Sequence, residues 1–262
     1  MEIKLQGKKA LVGGSSAGIG LAVAIELAKC GASIVLMARN EDKLKDAINL
    51  LDISQGQLHT YIVTDFNDYD KHKAIISSFF ETNTVDILVN NTNGPIAGDI
   101  TTKVEADYEL AFNLLFQNAV FTSNLALIAM KKKGFGRIIN ISSMTVKEPQ
   151  DTLVLSNTMR TALVSWSKSL SNAVAADGIT VNTVLTGSFD TDRLNSLMSL
   201  QADKQGVSLN DIKSQRITSI PVQRLGEPKE YGYLVSFLAS EYASFLTGTS
   251  IPLDGGSAKT IF

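Results

Sequence analysis

The chain is poor in the residues that cross-link or metallate a protein. One of its 262 residues is a cysteine, Cys30, which excludes an internal disulfide framework. Cys30 falls in an apolar helical pattern and reads as a small core residue. The two histidines, His59 and His72, stand far apart without ligand spacing, so no metal site is expected and both are expected in solvent. Charge is also scarce, with a net of −2 and no block of one sign, which argues against a nucleic-acid face. The densest basic run, Lys131-Lys132-Lys133, closes a helical pattern, where cations suit the negative pole of the helix dipole. No apolar run reaches membrane-spanning length, and no charged-then-apolar leader follows Met1. The expectation is a cytoplasmic protein with no membrane and no nucleic-acid partner. Tyrosine is absent from residues 109 to 230, a gap that matters below.

The remaining composition, 44% hydrophobic and 19% charged, is that of an ordinary globular protein. Short apolar runs alternate with helical patterns. The runs are 9–13 (KALVG), 33–37 (SIVLM), 59–63 (HTYIV), 85–90 (VDILVN), 137–142 (RIINIS), 179–184 (ITVNTV) and 249–253 (TSIPL). Helical patterns cover 18–29, 41–51, 69–80, 104–130, 153–176 and 229–240, and a polar segment with helical stretches spans 189–218. The strands are near-continuously apolar rather than alternating. Together with the strand–helix order, this predicts a parallel sheet covered by helices on both faces. No linker, composition shift or repeat divides the chain. One domain over residues 1–262 is expected, with 189–218 as a substrate loop or small lid.

The first apolar run leads into Gly14-Ser15-Ser16-Ala17-Gly18-Ile19-Gly20, which opens the first helix. Glycines there allow a tight turn and close main-chain approach to a pyrophosphate, and the helix N-terminus supplies free N–H groups. The spacing GxxxGxG is neither a P-loop nor GxGxxG, so it gains force from its place after strand one. After the second run the chain reads Met37-Ala38-Arg39-Asn40. An acidic residue there would suit the ribose 2′-hydroxyl of NAD. None is present, and Arg39 suits a 2′-phosphate, although a plain surface arginine is the other reading. The expected cofactor is NADP(H) in preference to NAD(H).

These residues, with others in order along residues 5 to 256, resemble the short-chain dehydrogenase/reductase family, and within it the 3-oxoacyl-carrier-protein reductase-like members. The resemblance is carried by Gly14, Gly18, Ile19 and Gly20, then Asp65 after strand three, Asn90-Asn91, Asn113 and Ser142-Ser143. It continues through Gly178-Ile179-Thr180-Val181-Asn182, Gly187 with Thr191, Arg224-Leu225-Gly226-Glu227-Pro228 and Asp254-Gly255-Gly256. It implies a Rossmann-type, doubly wound, three-layered α/β fold and a dimer or tetramer of identical chains. It also implies cofactor contacts at Gly14, Ser16, Ala17, Gly18, Ile19, Gly20, Arg39, Asp65, Phe66, Asn91, Gly187 and Phe189.

The family's chemistry uses an Asn that positions a water, a Ser that holds the reacting oxygen, a Tyr that protonates it, and a Lys that lowers the Tyr pKa. Asn113 and Ser143 match the first two. The Tyr position is Ser156 and the Lys position is Arg160, and the gap in tyrosines excludes a shifted register. An aliphatic hydroxyl is a far weaker acid than a phenol, and a guanidinium stays protonated. Positions 156 and 160 still share a helix face. Two other departures flank the nicotinamide position: Thr92-Asn93-Gly94 follows Asn90-Asn91, and Thr186 stands in the family's Pro-Gly pair. The expected function is an oxidoreductase acting on a small-molecule carbonyl or alcohol, with Asn113, Ser143, Ser156 and Arg160 at its centre. Its proton would come from a water held by Asn113 or from Lys147. The alternative is a catalytically silent NADP(H)-binding sensor or partner subunit. In the lid, Leu194, Leu197, Met198 and Leu200 line an apolar pocket or pack as helix core.

Overall fold

The computed structural model describes residues 2–261. The apolar runs become the strands β1 (Lys9–Gly13), β2 (Ser33–Ala38), β3 (Thr60–Val63), β4 (Ile87–Asn90), β5 (Gly136–Ser143), β6 (Ile179–Thr186) and β7 (Ser250–Leu253). Among the described residues they form one seven-stranded parallel sheet in the order β3-β2-β1-β4-β5-β6-β7. The helices are α1 (Gly18–Lys29), α2 (Glu41–Ile48), α3 (Tyr69–Thr82), α4 (Glu105–Phe112), α5 (Asn118–Lys133), α6 (Val154–Val174), α7 (Asp192–Gln205), α8 (Leu209–Thr218) and α9 (Pro228–Ala239).

The continuous apolar character of the strands has a direct cause. Successive side chains point to opposite faces, and both faces are covered. Ala10, Val12, Ile34, Leu36, Ile87 and Val89 enter one core with residues of α1, α2 and α9. Leu11, Val35, Met37 and Leu88, one residue out of phase, enter the other with residues of α3 and α5. The expected three-layered, doubly wound sheet is therefore present. Helices α1 and α9 approach closely because position 232 is glycine: a Cβ there would lie 2.9 Å from the carbonyl oxygen of Ala22. The start of α9 is fixed by Arg224, which donates from both terminal nitrogens to the Glu230 carboxylate at 2.7 and 2.6 Å. That fork, with the Glu227 N–H, holds the Glu230 carboxyl down at about 2.

Several boundaries and placements differ from expectation. The helix expected over 104–130 is α4 and α5 joined by a π-helical turn at Asn113–Gln117. The whole stretch Glu105–Lys133 is long and apolar enough to cross a membrane, contrary to the reading that no run reaches that length, but half of its apolar window is buried in the protein. The basic run does end α5, where Gly134 turns left-handed at φ 62°. The helix expected to reach Leu51 stops at Ile48. Cys30 lies at the end of α1, partly buried against the first core, and burial pushes its thiol pKa up.

The histidines are not in solvent. His59 is half-buried, accepting from the Ile34 N–H at Nδ1 (3.1 Å) and facing the Asp52 carbonyl at Nε2 (2.9 Å). His72 is fully buried, with Nδ1 3.1 Å from Thr64 Oγ1 and its ring 5.1 Å from that of Phe66. A bond from the backbone at the start of β2 holds the His59 ring, and closure of α3 over the sheet buries that of His72, which composition does not reveal. In the segment 189–218, α7 and α8 build a small core of their own from Met198, Ala202 and Ile212, with Leu194 against it.

Burial without a charged partner pushes the His72 pKa down to about 4. The unfolded chain, with an imidazole near 6.5, binds the proton first, so stability from this group is intact above about pH 6.5 and is lost as pH falls toward 4. Chemical denaturation of the native protein and of His72→Asn across pH 4 to 7 should show a steeper acid decline in the native protein. The difference should approach roughly tenfold in the folding equilibrium per pH unit. Parallel profiles would refute it.

Candidate active site

The carboxyl ends of β1 and β4 lie side by side where the strand order reverses, and a cleft of about 470 Å³ opens there. Its floor is main chain. A Cβ on Gly20 would strike the carbonyl of Gly14, and one on Gly14 (φ 55°) would lie 2.7 Å from Asn91 Nδ2. Asn91 Nδ2 donates to the Gly13 carbonyl at 3.0 Å, tying the β4 end to the turn. Ser15 points inward, donating to the Val12 carbonyl (2.8 Å) and accepting from the Met37 N–H (2.9 Å), which pins the turn to β2. Helix α1 begins with Ala17 at its cap position, without a side-chain cap or an acidic residue in the first turn. Its first N–H groups and positive dipole end therefore face the cleft free to receive an anion.

Gly14, Ser16, Ala17, Gly18, Ile19 and Gly20 all line this cleft, as do Arg39, Asp65, Phe66, Asn91, Gly187 and Phe189. Arg39 is exposed at the end of β2, and the neighbouring Asn40 caps α2 by accepting from the Lys43 N–H at 2.9 Å. Asp65 accepts from the N–H and Nδ2 of Asn67, which, with the charge of Arg39, holds its pKa below the usual carboxylate range. Phe189 is buried, with its ring 5.3 Å from that of Tyr231, and borders the cleft.

At the inner end Ser143, Ser156 and Arg160 come together on the cleft wall. Arg160 donates from Nε to Ser156 Oγ at 3.2 Å and from Nη1 to the Ile141 carbonyl at 2.8 Å. Burial lowers its pKa to about 10, with the nearby charge of Arg193 pushing the same way, so it stays cationic at neutral pH. None of the ion pairs among the described residues engages Arg160. Ser143 Oγ accepts from the Thr145 N–H at 3.1 Å. Below, Asn90 Nδ2 donates to Asn140 Oδ1 (2.7 Å) and Asn140 Nδ2 to Ser167 Oγ (2.7 Å), a buried chain joining β4, β5 and α6.

Asn113 does not join them. It falls at the start of the π-helical turn, outside the lining of the cleft, and its carbonyl accepts from the Asn118 N–H. Five residues on, Asn118 is buried and borders a chamber of about 20 Å³ with Asn90 and Arg160. Its Nδ2 donates to the Phe66 carbonyl at 2.8 Å and its Oδ1 is unpartnered, which suits the single water such a chamber can hold. The extra residue of the π turn rotates the helix after Asn113, and sequence spacing carries no mark of it. Lys147 also lies off the cleft lining. In the segment 189–218, Leu194 and Leu197 line the cleft, whereas Met198 belongs to the small core of α7 and α8 and Leu200 is exposed. Sequence reading also missed Arg193, which crosses the cleft mouth and donates to the Pro95 carbonyl at 3.1 Å.

A family model described as enoyl-(acyl carrier protein) reductase matches residues 14–258. The chain is 31% identical to the NADPH-dependent reductase BacG of Bacillus subtilis, over 97% of this chain and 99% of that one. It is 36% identical to the 3-oxoacyl-[acyl-carrier-protein] reductase FabG of Haemophilus influenzae, over 96% and 98%. Its fold superimposes on that of the L-sorbose reductase of Gluconobacter frateurii, solved with NADPH and L-sorbose, at a TM-score of 0.92 and 29% identity over the full length of both. With the glycine turn, the parallel sheet and the cleft at its switch point in place, these likenesses make the chain a member of the short-chain dehydrogenase/reductase family.

Proposed function

We propose that this protein is an NADP(H)-dependent oxidoreductase of the carbonyl reductase or alcohol dehydrogenase type, in which Ser156 and Arg160 stand where the family carries Tyr and Lys. One observation carries the reading: a cradle of bare main chain leads along one cleft to Ser143 and Arg160. The uncapped N-terminus of α1 would take the diphosphate, and Arg39 the 2′-phosphate. The NADPH named for BacG and for the L-sorbose reductase supports the same choice. When bound, the reduced cofactor supplies a hydride to a substrate carbonyl.

The chain's own part is electrostatic. Arg160, held by its bonds to Ser156 Oγ and the Ile141 carbonyl, and the Ser143 hydroxyl favour negative charge on the reacting oxygen. Leu153, Leu194 and Leu197 give the substrate end an apolar wall. The family's usual assembly supports a homo-oligomer, a dimer or tetramer, and exposed Leu110, Phe112 and Ile128 on α4 and α5 supply apolar surface for it. The second reading, a silent NADP(H)-binding sensor or partner subunit, is favoured by one feature: Ser156 Oγ is already engaged by Arg160 and presents no phenol to the cleft.

Titration with both coenzymes tests the cofactor. Arg39→Gln should weaken NADPH binding about tenfold to a hundredfold and leave NADH within about twofold, the loss expected for a charge-assisted bond. A preference for NADH in the native protein would overturn the assignment. For the reaction, NADPH absorbance is followed with ketones, 3-oxoacyl thioesters and quinones. Ser143→Ala should cut turnover by about a hundredfold or more. NADPH binding with no oxidation across the panel would instead establish the silent reading. The double replacement Ser156→Tyr with Arg160→Lys should raise turnover on ketones if the pocket is otherwise intact, and no gain would show that the geometry around Thr92 and Thr186 has changed as well.

A further inference from the structure

No tyrosine lies on α6, yet a tyrosine reaches the site from another layer. Tyr231, in the first turn of α9, is completely buried, and its phenol oxygen lies 3.0 Å from Thr186 Oγ1 and 3.3 Å from the Val184 carbonyl. Thr186 ends β6, is half-buried, and lines the cleft with Ser143 and Arg160. It pairs directly with Ser143 across β5 and β6, so the two side chains project from the same face of the sheet. Threonine stands there where the resemblance expects proline, which has no hydroxyl.

A phenol has one proton to give. Directed at the nearer acceptor, Thr186 Oγ1, it leaves the threonine's own proton free to point into the cleft. We propose that Thr186 is the group that protonates the reacting oxygen and that Tyr231, acting through it, is the positioning residue that restores its proton. This rests on the oxidoreductase reading above.

The step balances. As the carbonyl carbon is reduced, the substrate oxygen's electron pair takes the Thr186 proton, forming one O–H bond and breaking another. Thr186 oxygen takes the Tyr231 proton in the same movement, and a phenolate remains. After product leaves, cleft water returns a proton through Thr186. Burial pushes the Tyr231 pKa up, while the Thr186 hydrogen bond and the charge of Arg160 draw it back. A phenol so placed is still a stronger acid than an aliphatic alcohol, so transfer toward an alkoxide runs downhill. The chain of hydroxyls gives Arg160 a purpose that a guanidinium can fill without passing protons itself: it stabilises the transient phenolate.

Tyr231→Phe and Thr186→Val keep shape and remove one oxygen each. In the NADPH-loaded protein, each should slow oxidation of cofactor by about a hundredfold or more, with NADPH affinity within about twofold. The double variant should be no slower than the worse single one, as expected for groups acting as a unit. A second readout needs no turnover. With 13C at Cζ of tyrosine, the signal lost in Tyr231→Phe identifies Tyr231, and in Thr186→Val that signal should shift and titrate at higher pH. Turnover in Tyr231→Phe within threefold of the native protein, or a Tyr231 signal unmoved in Thr186→Val, overturns the relay alone. A native protein that binds NADPH but oxidises it with no substrate overturns the relay together with the reading beneath it.

Discussion

The structure depends on main chain meeting main chain at the ends of β1 and β4. Gly13, Gly14 and Gly20 leave no room for a Cβ beside Asn91 and the Gly14 carbonyl, and the Asn91 amide closes the gap with one bond to Gly13. That crowding brings the unshielded first turn of α1 to the cleft with its N–H groups unspent. An ordinary side chain at any of these positions would push the strands apart or fill the cradle. The fold thus presents partial positive charge from backbone alone, and Arg39 adds a full charge at the far end.

Around that point the molecule is organised by the sheet's two faces. Odd and even residues of the central strands feed separate cores, and each core holds one layer of helices in place. The polar groups that reach the site ride on elements fixed by these cores. Ser143 and Thr186 end paired strands, Arg160 is anchored on the Ile141 carbonyl, and α9 is set by the Arg224–Glu230 fork one residue before Tyr231. The inner end of the cleft therefore carries a cation and several hydroxyls held by rigid structure, and α7 and α8 keep a small core of their own.

The same organisation keeps the surroundings of Ser156 and Arg160 on α6 ordered. Arg160 spends two donors on Ser156 and Ile141, so its charge stays on the cleft wall instead of swinging into solvent. The buried Asn90–Asn140–Ser167 chain beneath it satisfies its own polar groups without help from the site.

Local chemistry by itself determined much of this protein. Apolar runs of strand length alternating with helical patterns dictate a covered parallel sheet, because no other arrangement buries both faces of such strands. The glycine spacing after β1 and the absence of an acid after β2 are likewise local facts, and the residues named with them, from Gly14 to Phe189, line one cleft. Tertiary structure alone decided the rest. The π turn at Asn113 displaces that residue and brings Asn118 to the chamber, through one backbone hydrogen-bond choice that leaves no periodicity to read. Closure of α3 over the sheet buries His72. The pairing of β5 with β6 and the packing of α9 set Tyr231 against Thr186 across forty-five positions of sequence, a contact made by the sheet's order and not by any spacing along the chain.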